Sequence, residues 1–174
     1  MSALKTLSDA IRTIPDFPEP GIQFKDITPV LSAPNLFKVA IDQICLPYQP
    51  GDIDQIVGID ARGFIFGAAV AVRLNAGFTP VRKKGKLPFD TYEESYDLEY
   101  GSNTIAIHTD AIQPGSKVLL VDDLLATGGT AAAAVSLLNK LEAQLLEAVF
   151  LIELEFLEGR ARLGQSPVRS IIKY

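Results

Sequence analysis

The sequence is poor in the residues that usually advertise chemistry, with one cysteine, one histidine, one methionine and no tryptophan. A single thiol, Cys45, precludes an intrachain disulfide and any cysteine-rich metal site. It lies on a helical apolar face and reads as a small buried residue. Basic residues are also short: 16 Lys and Arg face 21 Asp and Glu, for a net charge of -5. Apart from one local basic cluster, that balance gives no electrostatic footprint for nucleic acid or a membrane surface. No apolar run approaches the roughly 20 residues that cross a bilayer. The first residues follow an amphipathic helical pattern rather than that of a signal peptide, so the expectation is a cytoplasmic protein. Internal repeats and low-complexity tracts are missing too.

What is present suits a compact enzyme. The 174 residues, 48% of them hydrophobic, are enough for one domain with a sizeable core. Helical spacing of Leu4, Leu7, Ile11 and Ile14 before Pro15, and of Leu36 to Ile44 after Pro34, predicts helices at both ends of the first third. The proline-rich stretch between them, residues 15–29, reads as irregular. Strand-like runs follow at Gln55 to Ile59, Thr79 to Arg82, Thr104 to His108, Lys117 to Val121 and Ala148 to Leu154, with helical patterns after the first and fourth. Strands alternating with helices predict an α/β fold with a mostly parallel sheet.

The most informative stretch is VLLVDDLLATGGT, residues 118–130. An apolar strand ends on two adjacent carboxylates, then a Thr-Gly-Gly-Thr turn opens a helix. Gly128 and Gly129 allow positive φ and close backbone approach, while Thr127 and Thr130 add hydroxyl donors to the amides of a helix N-terminus. A monophosphate fits that cup. Ionised Asp122 and Asp123 are pure acceptors, suited to a vicinal diol such as a ribose, or else to direct coordination of Mg²⁺. The loop lacks the lysine of G-x-x-x-x-G-K-[ST], and no G-x-G-x-x-G occurs, which excludes the common nucleotide and dinucleotide loops.

Asp60-Ala61-Arg62-Gly63 repeats the device: it follows the apolar IVGI and opens the helical pattern FIFGAAVAVRL. An arginine fork beside a helix N-terminus suits a pyrophosphate, although an arginine merely paired with Asp60 would use the same residues. Residues 82–101, RKKGKLPFDTYEESYDLEYG, combine charge, Gly, Pro and Tyr without helical periodicity and predict a long exposed loop, of the kind that is usually functional. Its basic start is either a solvated run or part of a closing lid. His108 ends a strand far in sequence from these loops, which weighs against a catalytic role.

VLLVDDLLATGGT resembles the phosphoribosyl pyrophosphate (PRPP) motif of type I phosphoribosyltransferases. FPEPGIQFKDITPVL, GIDARGFIFG, VRKKGKLP, YDLEYG and IELEFLEGR, in the family's order, narrow the resemblance to its adenine-using branch. The resemblance covers nearly the whole chain. It implies a single phosphoribosyltransferase domain over residues 1–174, with a small N-terminal hood over about 1–33 and a flexible lid over about 82–101. The implied reaction joins adenine and PRPP to give AMP and pyrophosphate, with Mg²⁺ bound through PRPP and pyrophosphate rather than by the protein, in a homodimer.

Residue roles carry over by position. Asp122, Asp123, Leu124, Leu125, Ala126, Thr127, Gly128, Gly129 and Thr130 would hold ribose and phosphate. Arg62, Arg82 and Lys86 would meet the pyrophosphate, Arg82 reaching toward a neighbouring subunit's site. A cis or strained non-proline peptide is a further family feature of the loop at Arg62. Glu99 would handle the adenine proton, a role that spacing alone does not distinguish from Glu93 or Glu94, whose default is solvation. Tyr100 would pack beside the ribose or anchor the loop. Gln23, Phe24 and Lys25 would read the base, with Phe24 stacking on the purine; on the residues alone, Phe24 and Ile22 read as core. Gln23 and Lys25 depart from the apolar residue and the arginine commoner in the family.

Overall fold

The computed structural model describes residues 3–97 and 101–174. The chain forms two compact units, Met1–Ile44 and Cys45–Tyr174.

The first unit contains α1 (Ala3–Ala10), a two-stranded hairpin of β1 (Arg12–Pro15) and β2 (Gln23–Asp26), α2 (Thr28–Ser32) and most of α3 (Pro34–Cys45). The helix expected to run through Ile14 stops at Ala10, and residues 12–15 pair antiparallel with 23–26 instead, Ile14 opposite Phe24. Proline explains the difference: Pro15 fits no helix interior, and the residue before it favours extended backbone. Arg12 closes the far end of the hairpin on Asp26 at 2.7 Å. The side-chain and backbone hydrogen bonds of Thr28, with Arg12's help, hold the Asp26 carboxyl down at about 2. Leu7, Ile11, Ile27, Val30, Ala40 and Ile44 are buried. Cys45, at the end of α3, is buried as expected.

The second unit is built on a seven-stranded sheet in the order β5-β6-β4-β3-β7-β8-β9. These strands are β3 (Gln55–Ile59), β4 (Gly77–Lys83), β5 (Thr91–Asp97), β6 (Ser102–His108), β7 (Lys117–Leu125), β8 (Gln144–Glu153) and β9 (Val168–Lys173). From β4 through β9 every pairing is parallel, and the β5–β6 hairpin joins antiparallel through β6 on β4. The central strands are apolar on both faces because both faces are covered. Val57, Val118 and Leu120 share a core with Ala134, Leu137 and Leu138 of α5 (Gly129–Lys140). Their pleat neighbours Ile56, Leu119 and Val121 are equally buried, on the face that α4 (Arg62–Leu74) covers.

Strand order determines where a ligand fits. From β3 the chain crosses through α4 to β4 on one side; from β7 it crosses through α5 to β8 on the other. Right-handed crossovers running in opposite directions put α4 and α5 on opposite faces. They leave a crevice beyond the carboxyl ends of β3 and β7, the position where open α/β sheets bind ligands.

In this sheet β5 and β9 escaped prediction and the predicted run of β7 stopped short. Two parts of the predicted loop 82–101 are sheet: β4 runs to Lys83, and Thr91–Asp97 pairs along its whole length with β6. Half-buried and exposed positions are mixed along β5, with Glu93 and Glu94 both half-buried, and nearly all its side chains are polar, so no period of two shows. β9 is similarly half-buried. β7 continues past Val121, so Asp122 and Asp123 lie within the strand; register with Phe150 and Ile152 of β8 carries it across the charges. Among the described residues no helix is long and apolar enough to cross a membrane.

Candidate active site

Both crossover loops end in helices whose first amides have no side-chain cap. Ala61 precedes α4 and Gly128, at φ +82°, precedes α5; neither provides a capping hydrogen bond. The first N–H groups of a helix have no partner inside it, so each loop presents donors and the positive end of a dipole to the crevice.

At the β3–α4 loop the surroundings are charged. Arg62 Nε lies 2.8 Å from Asp123 Oδ2, while Asp60 accepts from Arg82 Nε at 3.0 Å. Where the sequence suggested a local pair of Arg62 with Asp60, the structure shows two longer-range ones, Arg62 of α4 with Asp123 of β7 and Arg82 of β4 with Asp60 of the loop. The Asp60–Ala61 peptide is cis, one bond before the Ala61–Arg62 bond. Gly63 is required by packing: a Cβ there would sit 2.7 Å from Asp122 Oδ1 and 3.0 Å from the Val121 carbonyl oxygen. Only glycine lets the start of α4 settle on the carboxylates of β7.

Asp122 and Asp123 are neighbours in a poorly solvated place. Burial, then the charge of Asp123, pushes the Asp122 carboxyl well above the ordinary range. Asp123 is also raised by burial, with Arg62 opposing. Asp122 Oδ1 accepts from the Asp123 N–H at 2.9 Å. Such a pair favours a ligand that supplies hydrogen-bond donors, as hydroxyls do.

The β7–α5 loop contains no charged side chain. Ala126, Thr127, Gly128, Gly129 and Thr130 line a cavity of about 350 Å³ together with Asp60, Ala61, Arg62, Arg82, Asp122 and Asp123. Leu124 and Leu125 complete that side. Lys83, from the basic run after Arg82, lines it as well, and so does Tyr96, which was missed in the sequence. Tyr96 comes from β5, the strand that polar composition concealed, and a Cβ on Gly129 would meet its ring at 3.0 Å.

Other expected residues lie elsewhere. Arg82 lines the crevice of its own chain, held there by Asp60, rather than pointing only toward a neighbour. Lys86 does not line it, but its carbonyl oxygen accepts from Arg82 Nη1 at 3.3 Å. Glu93 and Glu94 do more than face solvent: Glu93 pairs with Lys84, and Glu94 accepts from Ser136 and Lys140 of α5. Glu99 and Tyr100 lie outside the described residues. Gln23, Phe24 and Lys25 form β2 of the first unit. Phe24 is half-buried with Phe17 edge-on at 5.1 Å, whereas Ile22 is 45% exposed, against its reading as core. His108 Nε2 accepts from the Phe89 N–H, and the residue does not line the crevice, as expected. Among the described residues no group of three or more His, Cys, Asp or Glu is arranged to hold a metal ion.

Residues 37–168 match the family model described as phosphoribosyl transferase domain. The adenine phosphoribosyltransferase of Acidothermus cellulolyticus is 56% identical over 163 residues, covering 94% of this chain and 92% of that protein. The chain belongs to the adenine phosphoribosyltransferase family. The fold agrees across that family. The crystal structure of the Rhodothermus marinus member superposes with a TM-score of 0.93 at 54% identity, covering 99% of this chain and 98% of that one. The Saccharomyces cerevisiae member, solved with an imino-altritol bisphosphate and adenine, gives a TM-score of 0.93 at 44% identity, over 97% and 98% of the two chains.

Proposed function

We propose that this protein transfers the 5-phosphoribosyl group of PRPP to N9 of adenine, releasing pyrophosphate and AMP in purine salvage. The observation that carries the reading is the crevice itself, where two uncapped helix N-termini flank the Asp122-Asp123 pair. Membership of the family supplies the chemistry.

In this reading the 126–130 amides and the Thr127 and Thr130 hydroxyls hold the 5′-phosphate, and Asp122 and Asp123 accept from the ribose 2- and 3-hydroxyls. Arg62, Arg82 and the α4 amides take the pyrophosphate, with Lys86 nearby. N9 attacks C1 of the ribose as the C1–O bond to pyrophosphate breaks. The electron pair leaves with the pyrophosphate, so donors already aimed at that oxygen lower the barrier. Glu99 takes or shares the adenine proton, and Tyr100 packs against the ribose. Gln23, Phe24 and Lys25 recognise the base, with main-chain groups matching the 6-amino pattern. A divalent cation, which we assign as Mg²⁺, would neutralise charge on the diphosphate. The residues fit an ion carried in by substrate oxygens, because two of the carboxylates lining the crevice are already paired, Asp123 with Arg62 and Asp60 with Arg82. We further propose a cytoplasmic homodimer whose domain includes an N-terminal hood and a lid over about 82–101.

The test is to incubate the protein with PRPP, Mg²⁺ and each purine in turn and measure nucleotide formed. Adenine should be used, and hypoxanthine and guanine should be poorer by roughly 10⁴-fold, because a 6-oxo group leaves buried donors and acceptors unmatched. Comparable turnover of hypoxanthine would refute the adenine assignment.

A further inference from the structure

We infer that Glu153, Gly159 and Arg160 brace the 126–128 backbone from behind, making Arg160 a positioning residue for phosphate capture, an inference that rests on the phosphate role proposed for that loop. The two segments meet backbone to backbone. A Cβ on Gly128 would collide with the Gly159 carbonyl oxygen, and one on Gly159 would collide with the Ala126 carbonyl oxygen and lie 2.9 Å from the Gly128 nitrogen. No side chain lies between them to absorb a shift. Where Gly159 goes, the Gly128 amide follows.

Arg160 determines where Gly159 goes. It opens a fork onto Glu153, Nε to Oε1 at 3.0 Å and Nη2 to Oε2 at 2.6 Å, and its Nη1 donates to the Val168 carbonyl at 2.7 Å. Glu153 ends β8 and stands in register with Leu125, and the next amide, of Leu154, donates to the Leu125 carbonyl at 2.9 Å. The brace is therefore anchored on the strand that carries the phosphate loop. The turn it clamps, the 3-10 segment Gly159–Leu163, starts immediately after Glu158 at φ +51°.

Glu153 is only 4% exposed, yet the Arg160 fork outweighs that burial and holds its carboxyl below the ordinary range. A lysine's point charge would supply attraction without orientation. What a bidentate fork adds is a fixed angle and distance. Neither Glu153 nor Arg160 lines the cavity, so any effect on ligands has to pass through the backbone they hold, at Gly159 and Gly128 and at Leu125.

The experiment measures calorimetric affinities of the full chain for ribose 5-phosphate and, separately, for pyrophosphate with Mg²⁺. Thermal denaturation verifies the fold of each variant. Arg160→Lys keeps the charge but loses the fork. The double variant Glu153→Met with Arg160→Met replaces the pair by apolar bulk, and Gly159→Ala pushes the loop while leaving the pair intact. Each folded variant should bind ribose 5-phosphate about tenfold more weakly, the scale of one mis-set hydrogen bond, with pyrophosphate affinity within about twofold of the parent. Parent-like ribose 5-phosphate affinity in the folded variants, or equal losses for both ligands, would overturn the brace. Thr130→Val separates the underlying reading: if it too binds ribose 5-phosphate like the parent, the phosphate role of the loop is what fails.

Discussion

The β3–α4 and β7–α5 loops begin from the same device, a buried parallel strand feeding an uncapped helix, and finish it with opposite chemistry. Around Arg62 the loop is crossed by ion pairs, Arg62 to Asp123 and Arg82 to Asp60. The loop at Gly128 itself supplies only backbone, two threonines and small residues, pressed against Gly159, with the Tyr96 ring and Arg162 Nη1 beside Gly129. In the proposed reaction the groups that would sit there have different fates. The 5′-phosphate stays attached to the ribose from start to finish and needs a rigid cup. The pyrophosphate changes charge distribution as it departs and needs cations that can exchange partners. A side chain moves and a packed backbone does not, so the difference in composition matches the difference in task.

Removing the exchangeable cation is the most severe way to probe that contrast. Arg62→Ala should lower kcat by about 10² to 10³-fold, the usual loss when a donor to developing charge is deleted. Ribose 5-phosphate affinity should hold within a few fold. An equal loss on both measures would show that the loops are not separate in function. Disturbing the rigid loop should do the reverse. Gly128→Ala combines a positive φ with a collision at Gly159, and kcat/KM for PRPP should fall by about 10²-fold through misplacement, with pyrophosphate affinity preserved.

Between the loops, Asp122→Asn should weaken PRPP binding by about 1.5 to 3 kcal/mol, the loss of a charged hydrogen bond. The same change should not destabilise the fold at neutral pH. Because the folded-state value of Asp122 lies above the unfolded one of about 3.9, the folded state holds that proton more tightly. Its contribution to stability is fully present below the unfolded value and declines as pH rises through the window up to the folded value. Urea denaturation across that range should show the parent losing stability with rising pH more steeply than Asp122→Asn. Parallel pH profiles would contradict the strained pair.

The smallest effect belongs to Glu94, which Lys140 and Ser136 hold below its usual range. That stabilisation is present above the unfolded value and is lost as pH falls through the lowered folded one. Lys140 is 40% exposed, so solvent screening should keep the cost of Glu94→Gln under about 1 kcal/mol by thermal or chemical denaturation.

The parts of this arrangement that were legible in the sequence are those with a local cause. Ile56 to Ile59 and Val118 to Val121 are apolar because both sheet faces are covered, and the Thr-Gly-Gly-Thr turn states its own backbone requirement. Pairings across the chain leave no such mark. Asp123 is 61 residues from its partner Arg62, and Gly159 is 31 from Gly128, distances along the sequence at which no periodicity connects them. Polar strands fail for another reason: on one face of β5 Tyr92 is exposed, Glu94 is held by Ser136 and Lys140 of α5 and Tyr96 packs on the core, a mixture that hydropathy does not register. The helix expected through Ile14 shows the converse, an apolar spacing compatible with two structures until Gln23 to Asp26 selects one.

The two crossed ion pairs at the mouth of the crevice also bear on how fast a phosphate ligand arrives. Asp60 and Asp123 cancel the fields of Arg82 and Arg62 before any ligand is near, and the protein as a whole carries a net charge of -5. A cleft neutralised in this way projects no attractive potential past the Debye length, about 8 Å in physiological salt, so an approaching polyanion is not steered. Encounter with PRPP is then an unguided collision followed by partner exchange, and its association rate constant should not fall as ionic strength rises.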